Sequence, residues 1–207
     1  MYAYEYIEGE LLKDIWPSLT EEEKIALCRA IGHFHAEIGK KFTKEMAENI
    51  AITIDPSADL HPEVKKEYEE LTIDPNVPEE FKTLVKHAKT IFDGTMGNTV
   101  FQFIHNDAHH ENILIKGNMI TGIIDFGNAE YGEIAKEFSR YIRDFPDHFK
   151  YIVASYEEAS GNKLSYERLI SNALVSGFAE IVEDYKKDEE GKSIAKIAIA
   201  KYADLLR

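Results

Sequence analysis

The sequence has little cysteine and no long apolar runs, and each absence excludes some classes of protein. Cys28 is the single cysteine among 207 residues, so no disulfide bond can form within the chain and a reducing compartment is expected. No apolar run approaches the roughly 20 residues of a membrane span. The first residues lack the basic and apolar segments of a secretory signal. These absences predict a cytoplasmic protein that does not associate with membranes.

Basic residues are also scarce. Lys and Arg number 24 against 38 Asp and Glu, which gives a net charge of −14. Nucleic acids and anionic membranes require a basic footprint on their partners, so the charge disfavours both. The same charge is compatible with a cationic small-molecule substrate. Hydrophobic residues make up 44% of the chain, which is enough for the packed core of one domain or one large lobe.

The spacing of apolar residues predicts a mostly helical chain. Thr20 and Glu23 have the spacing of a capping box, and apolar residues at helical intervals predict a helix over residues 21–40. His33 and His35 on this helix have no ligand-type partners at metal-binding spacing, so they are interpreted as structural. Further helices are predicted over residues 63–71, 78–94, 133–143, 146–160, 166–187 and 192–206.

Strands are predicted around one segment in the middle of the chain. Residues 99–104 form a strand-like run, and residues 112–115 and 119–124 form two more, separated by a Gly-Asn turn. Residues 1–7 alternate as a short strand does. The second and third runs therefore predict a hairpin immediately after residues 105–111.

Residues 105–112 and 123–127 carry the most informative patterns of the chain. The first segment reads HNDAHHEN and fits the kinase catalytic-loop pattern H-x-D-x-x-x-x-N, and the second reads IIDFG and contains D-F-G. Either pattern alone is weak evidence, but both in this order and beside strand-like runs are strong. A carboxylate, an amide and a second carboxylate at this spacing predict phosphoryl transfer.

Each candidate residue has an expected role. Asp107 positions the acceptor hydroxyl or accepts its proton. Asn112 and Asp125 offer the hard oxygen donors that Mg²⁺ prefers, and antiparallel pairing of the hairpin brings the two residues together. His105 is expected to pack beneath the loop and to orient it.

Three segments resemble the aminoglycoside phosphotransferase (APH-like) family of the protein-kinase-like superfamily. Residues 103–115 resemble its catalytic loop and following strand, residues 123–129 its metal-binding segment, and residues 4–12 the linker between its two lobes. The resemblance implies an α+β, mostly helical fold: a kinase-like C-terminal lobe with a small β-hairpin. Residues 1–12 are then a linker-like strand and residues 13–207 the catalytic lobe. No G-x-G-x-x-G loop and no Lys-bearing strand precede residue 105, so we expect the N-terminal lobe to be absent.

The resemblance also implies further site residues. The carbonyl of Glu5 and the N–H of Ile7 correspond to the linker groups that hydrogen-bond the nucleobase of ATP or GTP. Tyr4 occupies the gatekeeper position, where a bulky residue resembles family members that favour GTP. Glu137 lies where the family commonly has an acid that accepts N–H groups of the catalytic loop. That acid is usually Asp, so the longer Glu137 departs from the family pattern.

The expected function is Mg²⁺-dependent transfer of the γ-phosphate of a nucleoside triphosphate to a hydroxyl of a small molecule. An aminoglycoside-like cationic acceptor is expected first, and Glu180, Glu183 and Asp184 are candidates for binding it. Two alternatives remain open. The chain is a catalytically incomplete lobe, either half of a split kinase whose N-terminal lobe acts in trans or a ligand-binding module. Alternatively, a metal-dependent hydrolase uses a cluster made of His105, Asp107, His109, His110 and Glu111.

Overall fold

The computed structural model describes residues 7–97 and 99–207. The strand predicted over residues 1–7 therefore lies almost entirely outside the described residues, as do the nucleotide candidates Tyr4 and Glu5. The fold is mostly helical with small sheets, as expected. The helices are α1 (Leu12–Ile15), α2 (Glu21–Lys41), α3 (Lys44–Asn49), α4 (Pro62–Ile73), α5 (Glu79–Gly94), α6 (Ile134–Asp144), α7 (Phe149–Ser160), α8 (Tyr166–Ser176), α9 (Phe178–Lys187) and α10 (Glu189–Leu205).

The strands form two small sheets within the described residues. The strands are β1 (Glu10–Leu11), β2 (Thr53–Ile54), β3 (Phe101–Ile104), β4 (Ile113–Lys116), β5 (Met119–Ile123) and β6 (Glu130–Glu133). One sheet has the order β1-β4-β5 and the other β2-β6-β3. The expected β4–β5 hairpin is present, but the fold contains more sheet than that hairpin. The second sheet was not predicted, because β2 and β6 are short and their partners are distant in the sequence.

The chain divides into two packed units. The first unit comprises the chain as far as Pro56 together with Phe101–Lys163, and the second comprises Ser57–Val100 and Leu164–Arg207. Both sheets and the loop with the predicted catalytic residues belong to the first unit. The second unit contains α4, α5, α8, α9 and α10. The division at residue 12 that was expected from the resemblance stays a prediction.

Helix α2 forms the long support of the first unit. Thr20 accepts a hydrogen bond from the backbone of Glu23, and the Glu23 carboxylate accepts one from the backbone of Thr20 at 2.8 Å. The predicted capping box is thus confirmed. Gly32 permits a close approach to α7, because a Cβ at this position would lie 2.1 Å from the carbonyl oxygen of Ile152. Strand β3 packs against this closely spaced pair of helices.

A buried polar cluster connects α2 to β3 and α6 inside the first unit. His35 is fully buried, and its Nε2 lies 2.7 Å from the hydroxyl of Tyr141. Gln102 of β3 donates to the backbone carbonyl of His35 and accepts from the hydroxyl of Tyr156. Burial lowers the pKa of His35 to about 3, so the ring is neutral at ordinary pH. The predicted structural role of His35 agrees with these contacts.

The second unit packs α5 against α8 around a buried arginine. Arg168 is 1% exposed, and its guanidinium lies 3.7 Å from the ring centroid of Phe92. The same group donates to the backbone carbonyls of Phe92 and Ala58. Ser165 caps α8 by accepting from the backbone of Arg168. The cation is thus satisfied by carbonyl oxygens and an aromatic face.

The helix predicted over residues 166–187 is wrong in one respect. The structure has two helices there, α8 and α9, separated at Gly177. The apolar period continues across the break, which explains why the sequence indicated one helix. The residues that the structure describes include no helix with both the length and the apolar character needed to span a membrane.

Candidate active site

The predicted catalytic loop, residues 105–112, connects β3 to β4 and is anchored by the buried ring of His105. Its Nε2 lies 2.8 Å from the carbonyl oxygen of Ile124, and its Nδ1 lies 3.2 Å from the backbone nitrogen of Asp107. A backbone N–H can only donate, so Nδ1 accepts and Nε2 carries the proton. Burial lowers the pKa of His105, which favours this neutral ring. His105 thus connects the loop to the residue that precedes Asp125.

Glu137 supports the same loop from the first turn of α6. It is fully buried, and its two oxygens accept hydrogen bonds from the backbone N–H groups of Asn106, at 2.8 Å, and Ala108, at 3.3 Å. Burial raises the pKa of Glu137 to about 7, although these N–H groups act in the opposite direction. The expected support by Glu137 is confirmed, and the extra methylene relative to Asp does not prevent it.

The loop and the D-F-G segment each contain a residue with left-handed backbone geometry. Asn106 has a φ of 61° and Asp125 a φ of 65°. Asn and Asp tolerate this region better than other non-glycine residues, because their short polar side chains bond locally. The two turns direct the chain around Asp107 and, at the end of β5, around Asp125. Local strain of this kind is common where a fold fixes functional groups.

The carboxylate of Asp107 lies at the surface of the loop, with its side chain 21% exposed. Its Oδ2 is 3.3 Å from the amide nitrogen of Asn128, and its Oδ1 is 3.6 Å from a guanidinium nitrogen of Arg140. Asp107 is therefore accessible and bordered by one amide and one cation. The kinase patterns alone predict neither neighbour.

The predicted metal-binding residues lie at adjoining ends of the hairpin. Ile113 pairs with Ile123, and the N–H of Ile124 donates to the carbonyl of Asn112 at 3.0 Å. The expected antiparallel pairing is thus confirmed, and it places the backbone of Asn112 beside the residue that precedes Asp125.

The side chains of these two residues carry oxygen atoms of the type that Mg²⁺ binds. The amide nitrogen of Asn112 donates to the carbonyl of Asp107 at 2.9 Å. Among the described residues, the side-chain oxygen of Asn112 takes no part in a hydrogen bond. This oxygen is therefore available to bind a cation. Asp125 is exposed and offers a carboxylate. An amide oxygen and a carboxylate are hard donors of the kind that Mg²⁺ binds.

The residues proposed for a hydrolytic metal cluster are distributed differently. In the part of the chain that the structure describes, the group with ligand geometry consists of His109, His110 and Asp144. His105 is instead bonded to backbone groups, and Glu111 pairs with Lys13 at 2.8 Å. The five predicted ligands are thus not assembled as one cluster.

His110 and Asp144 form a close pair. Nδ1 of His110 lies 2.6 Å from Oδ2 of Asp144, and the same oxygen accepts from the backbone N–H of His110 at 3.2 Å. The hydrogen bond and charge of Asp144 raise the pKa of His110. Burial works to raise the pKa of Asp144, but the hydrogen bonds of His110 and the charge of Arg143 outweigh it, so the net direction is down. The pair joins the loop to the end of α6.

Three residues near the loop were not among the predicted site residues, although the sequence contains a signal for two of them. Arg140 lies three residues after Glu137 on α6, so helical spacing places both side chains on the face that meets the loop. Asn128 lies three residues after Asp125, within the short turn that follows it. Asp144 lies at the end of α6, and nothing in its sequence context connects it to His110.

Of the residues predicted to bind the nucleobase, Ile7 is among those that the structure describes. Its side chain is 38% exposed and contacts Gly122 of β5.

A mostly helical fold in which a hairpin joins an H-x-D-x-x-x-x-N loop to a D-F-G turn is typical of kinase-like phosphotransferases. The chain belongs to the phosphotransferase enzyme family (APH), whose family model matches residues 1–168. Comparison with proteins of curated function gives no significant match.

Solved structures share the fold at low sequence identity. The GDP complex of wild-type aminoglycoside 2'-phosphotransferase-IIIa is 17% identical with a TM-score of 0.69, over 97% of this chain and 70% of that chain. The GDP and kanamycin complex of APH(2")-IIia is 18% identical with a TM-score of 0.67, over 97% and 70%. Macrolide 2'-phosphotransferase MphH from Brachybacterium faecium is 15% identical with a TM-score of 0.60, over 94% and 68%. At these identities the likeness concerns the fold.

Proposed function

We propose that this protein transfers the γ-phosphate of a nucleoside triphosphate to a hydroxyl group of a small molecule. The observation that carries the proposal is the coupling of the loop to the D-F-G turn. Glu137 accepts hydrogen bonds from the backbone on both sides of Asp107. The Asn112 side chain donates to the carbonyl of Asp107, and the backbone carbonyl of Asn112 accepts from the N–H of Ile124. The proposed acceptor-binding and metal-binding groups therefore belong to one hydrogen-bonded assembly.

The reaction assigns a separate task to each of these groups. Asp107 accepts a hydrogen bond from the acceptor hydroxyl, orients its oxygen toward the γ-phosphorus and receives its proton, which then passes to solvent. A bond forms between the acceptor oxygen and the γ-phosphorus as the bond to the leaving diphosphate breaks. His105 and Glu137 hold the loop so that Asp107 needs no rearrangement when the acceptor arrives.

Asn112 and Asp125 would hold Mg²⁺. The ion supplies neutralisation of the phosphate charge when it is bound. Their contribution is positional, because hairpin pairing fixes the backbone of Asn112 next to the turn that contains Asp125. We also propose that the backbone of Glu5 and Ile7 binds the nucleobase, with Tyr4 favouring GTP over ATP.

An aminoglycoside-like cation is the proposed acceptor. The net charge of −14 favours such a molecule over an anionic one. Among solved structures with this fold, APH(2")-IIia is a complex with kanamycin, while MphH is a macrolide phosphotransferase. Glu180, Glu183 and Asp184 on α9 are the proposed contacts for amino groups, and the first two are exposed.

Calorimetric titration with Mg-GTP and Mg-ATP tests the nucleotide half of the proposal. The wild-type chain is expected to bind at least one of them, and Asp125→Ala is expected to weaken that binding by about tenfold or more, since it removes a charged metal ligand. Asp59→Ala, which removes a half-buried loop carboxylate of the second unit, is the matched control. Equal binding by wild type and Asp125→Ala would contradict the assignment of the metal site.

Turnover with a panel of hydroxylated acceptors tests the second half. Asp107→Ala is expected to abolish transfer while nucleotide affinity stays within about twofold, because Asp107 contacts the acceptor side. Nucleotide binding without transfer to any acceptor would favour the incomplete lobe that requires a complementary lobe in trans. Phosphorylation of neutral or anionic alcohols alone would contradict the cationic acceptor.

A further inference from the structure

The geometry around Asp107 includes a cation that the kinase patterns leave unexplained. Arg140 projects from α6, one turn after Glu137, and its guanidinium Nη2 lies 3.6 Å from Oδ1 of Asp107. The side chains are 35% and 21% exposed, so the pair lies at the accessible side of the loop. His109 approaches the same oxygen, with Nε2 at 3.8 Å. A ligand that reaches Asp107 therefore meets Arg140 as well.

A structural role accounts for only part of this position, in which the charge of Arg140 also acts on the buried carboxylate of Glu137. At 3.6 Å the pair is longer than a normal N–H···O hydrogen bond, and partly exposed ion pairs contribute little to stability. The loop is already held through the backbone bonds to Glu137 and the ring of His105. The guanidinium is accessible beside Asp107, so it is also placed to bind an anionic group of a ligand that arrives there.

The transferred phosphoryl group is such an anion. Its equatorial oxygens carry the charge that a catalyst neutralises, and a planar guanidinium matches phosphoryl oxygens with paired N–H donors. Asp107 holds the attacking oxygen, so the phosphorus that this oxygen attacks comes within reach of a side chain beside Asp107. We propose that Arg140 is a catalytic residue that donates hydrogen bonds to the γ-phosphoryl group, an inference that depends on the proposed phosphotransferase function.

In this reaction Arg140 gains and loses no proton. The acceptor oxygen bonds to the γ-phosphorus, the bond from phosphorus to the bridging oxygen breaks, and the nucleoside diphosphate leaves. The acceptor proton passes through Asp107 to solvent, while Arg140 stays protonated and its N–H groups follow the phosphoryl oxygens. Asn128, at 3.3 Å from the other oxygen of Asp107, keeps that carboxylate oriented toward the acceptor.

Binding of a non-hydrolysable triphosphate analogue and of the matching diphosphate separates a γ-phosphoryl contact from a structural role. Arg140→Gln is expected to weaken binding of Mg-GMPPNP or Mg-AMPPNP by about tenfold or more and binding of GDP or ADP by less than about twofold. Arg143→Gln on the same helix removes the same charge and is expected to change neither affinity. Turnover of Arg140→Gln is expected to fall by about 100-fold, and Arg140→Lys, which keeps the charge without the fork, is expected to retain part of it.

The outcomes distinguish this inference from the function on which it depends. Loss of the triphosphate preference in Arg140→Gln, with diphosphate affinity retained, supports the phosphoryl contact. Equal affinities of wild type and Arg140→Gln for both nucleotides overturn the role of Arg140 and leave the proposed function standing. A wild-type chain that binds neither nucleotide overturns both. Parallel loss of both nucleotides in Arg140→Gln and Arg140→Lys would show a structural role and also overturn the inference.

Discussion

Glu137 brings a buried negative charge to the centre of the proposed site, and its protonation state determines how well it can hold the loop. An ionised carboxylate accepts from both Asn106 and Ala108 without competition, whereas a protonated one must place a hydrogen in the same crowded region. Burial raises its pKa to about 7. Near neutral pH, hydrogen bonding to the loop therefore favours the ionised form of Glu137, whereas burial favours the protonated form.

We expect Glu137→Gln to change the pH dependence of stability. The folded pKa of about 7 lies above the ordinary value of 4.5, so the folded protein binds the proton more tightly between these values. The wild-type free energy of unfolding therefore contains a term that is fully present below about pH 4.5 and is lost as pH rises through 7. Glu137→Gln lacks this term, about 3 kcal/mol in total.

Chemical denaturation of wild type and Glu137→Gln at several pH values between 4 and 8 measures the difference. Glu133→Gln, which changes a buried acid four residues earlier, serves as the control. Parallel stability curves for wild type and Glu137→Gln would show that Glu137 does not titrate in this range.

The His110–Asp144 pair predicts a second pH effect at the residue scale. Its contribution requires a charged His110 and a charged Asp144, so it is full below the ordinary His value of 6.5 and is lost as pH rises through the raised pKa of His110. On the acid side it is lost as pH falls through the lowered pKa of Asp144. We expect Asp144→Asn to cost about 1 kcal/mol at pH 6 and less at pH 9, a value kept small because the side chain of His110 is 34% exposed.

Thermal melts at pH 6 and pH 9 test this pair, with Asp147→Asn after the end of α6 as the control for charge removal. A destabilisation of Asp144→Asn that is equal at both pH values would mean that the charge of His110 plays no part. NMR titration of the His110 ring gives the direction of its pKa independently.

At this scale the sequence predicted the residues whose roles follow from pattern and spacing. Asp107, Asn112, Asp125 and His105 stand at fixed intervals around a hairpin, so the sequence alone brings them close together. Whether they perform the proposed chemistry stays a prediction. Helical spacing places Arg140 on the same face of α6 as Glu137, but the sequence does not give the distance of Arg140 from Asp107.

At the scale of elements, the close packing of α2 on α7 is the feature most sensitive to one methyl group. A Cβ on Gly32 would lie 2.1 Å from the carbonyl oxygen of Ile152 and 2.9 Å from the backbone nitrogen of Tyr156. Both contacts are to backbone, so relief requires the helices to separate. We expect Gly32→Ala to destabilise the protein by about 3 kcal/mol, the upper end of ordinary overpacking.

Gly94→Ala is the matched control for this substitution, because Gly94 is also helical and a Cβ there would have nothing within 4 Å. It is expected to be neutral or to stabilise the protein slightly, since alanine favours helix over glycine. Urea denaturation measures both variants. A Gly32→Ala protein as stable as Gly94→Ala would show that α2 and α7 can separate at little cost.

The elements that the sequence predicted well are those that carry local signals. The capping box at Thr20 and the turn at Gly117 mark their elements within a few residues. Strand β2 has two residues and pairs in parallel with β6, which lies far along the chain. No local sequence pattern therefore predicts β2. The break at Gly177 was missed for the opposite reason, because apolar residues continue at helical spacing through it.

At the scale of the whole molecule, the charge of −14 creates a field that acts on any charged acceptor before contact. A polycationic acceptor is drawn toward the protein, and salt screens this attraction because the Debye length shortens from about 10 Å at 0.1 M to about 3 Å at 1 M. We therefore expect kcat/KM for an aminoglycoside to fall by about tenfold or more between about 0.05 M and about 0.5 M salt. The value for an uncharged hydroxylated acceptor should change much less.

Two double variants separate this general field from a local contact on α9. One double variant combines Glu180→Gln with Glu183→Gln on α9. The other combines Glu45→Gln with Glu48→Gln on the exposed face of α3, and it removes the same amount of charge. A field effect lowers kcat/KM for the cation equally in both, whereas the proposed contact on α9 lowers it further in the first pair and raises KM there. A cationic acceptor whose kcat/KM is insensitive to both salt and either double variant would contradict electrostatic recognition. The acceptor would then be selected through its shape and hydroxyl groups, which the net charge of the chain does not predict.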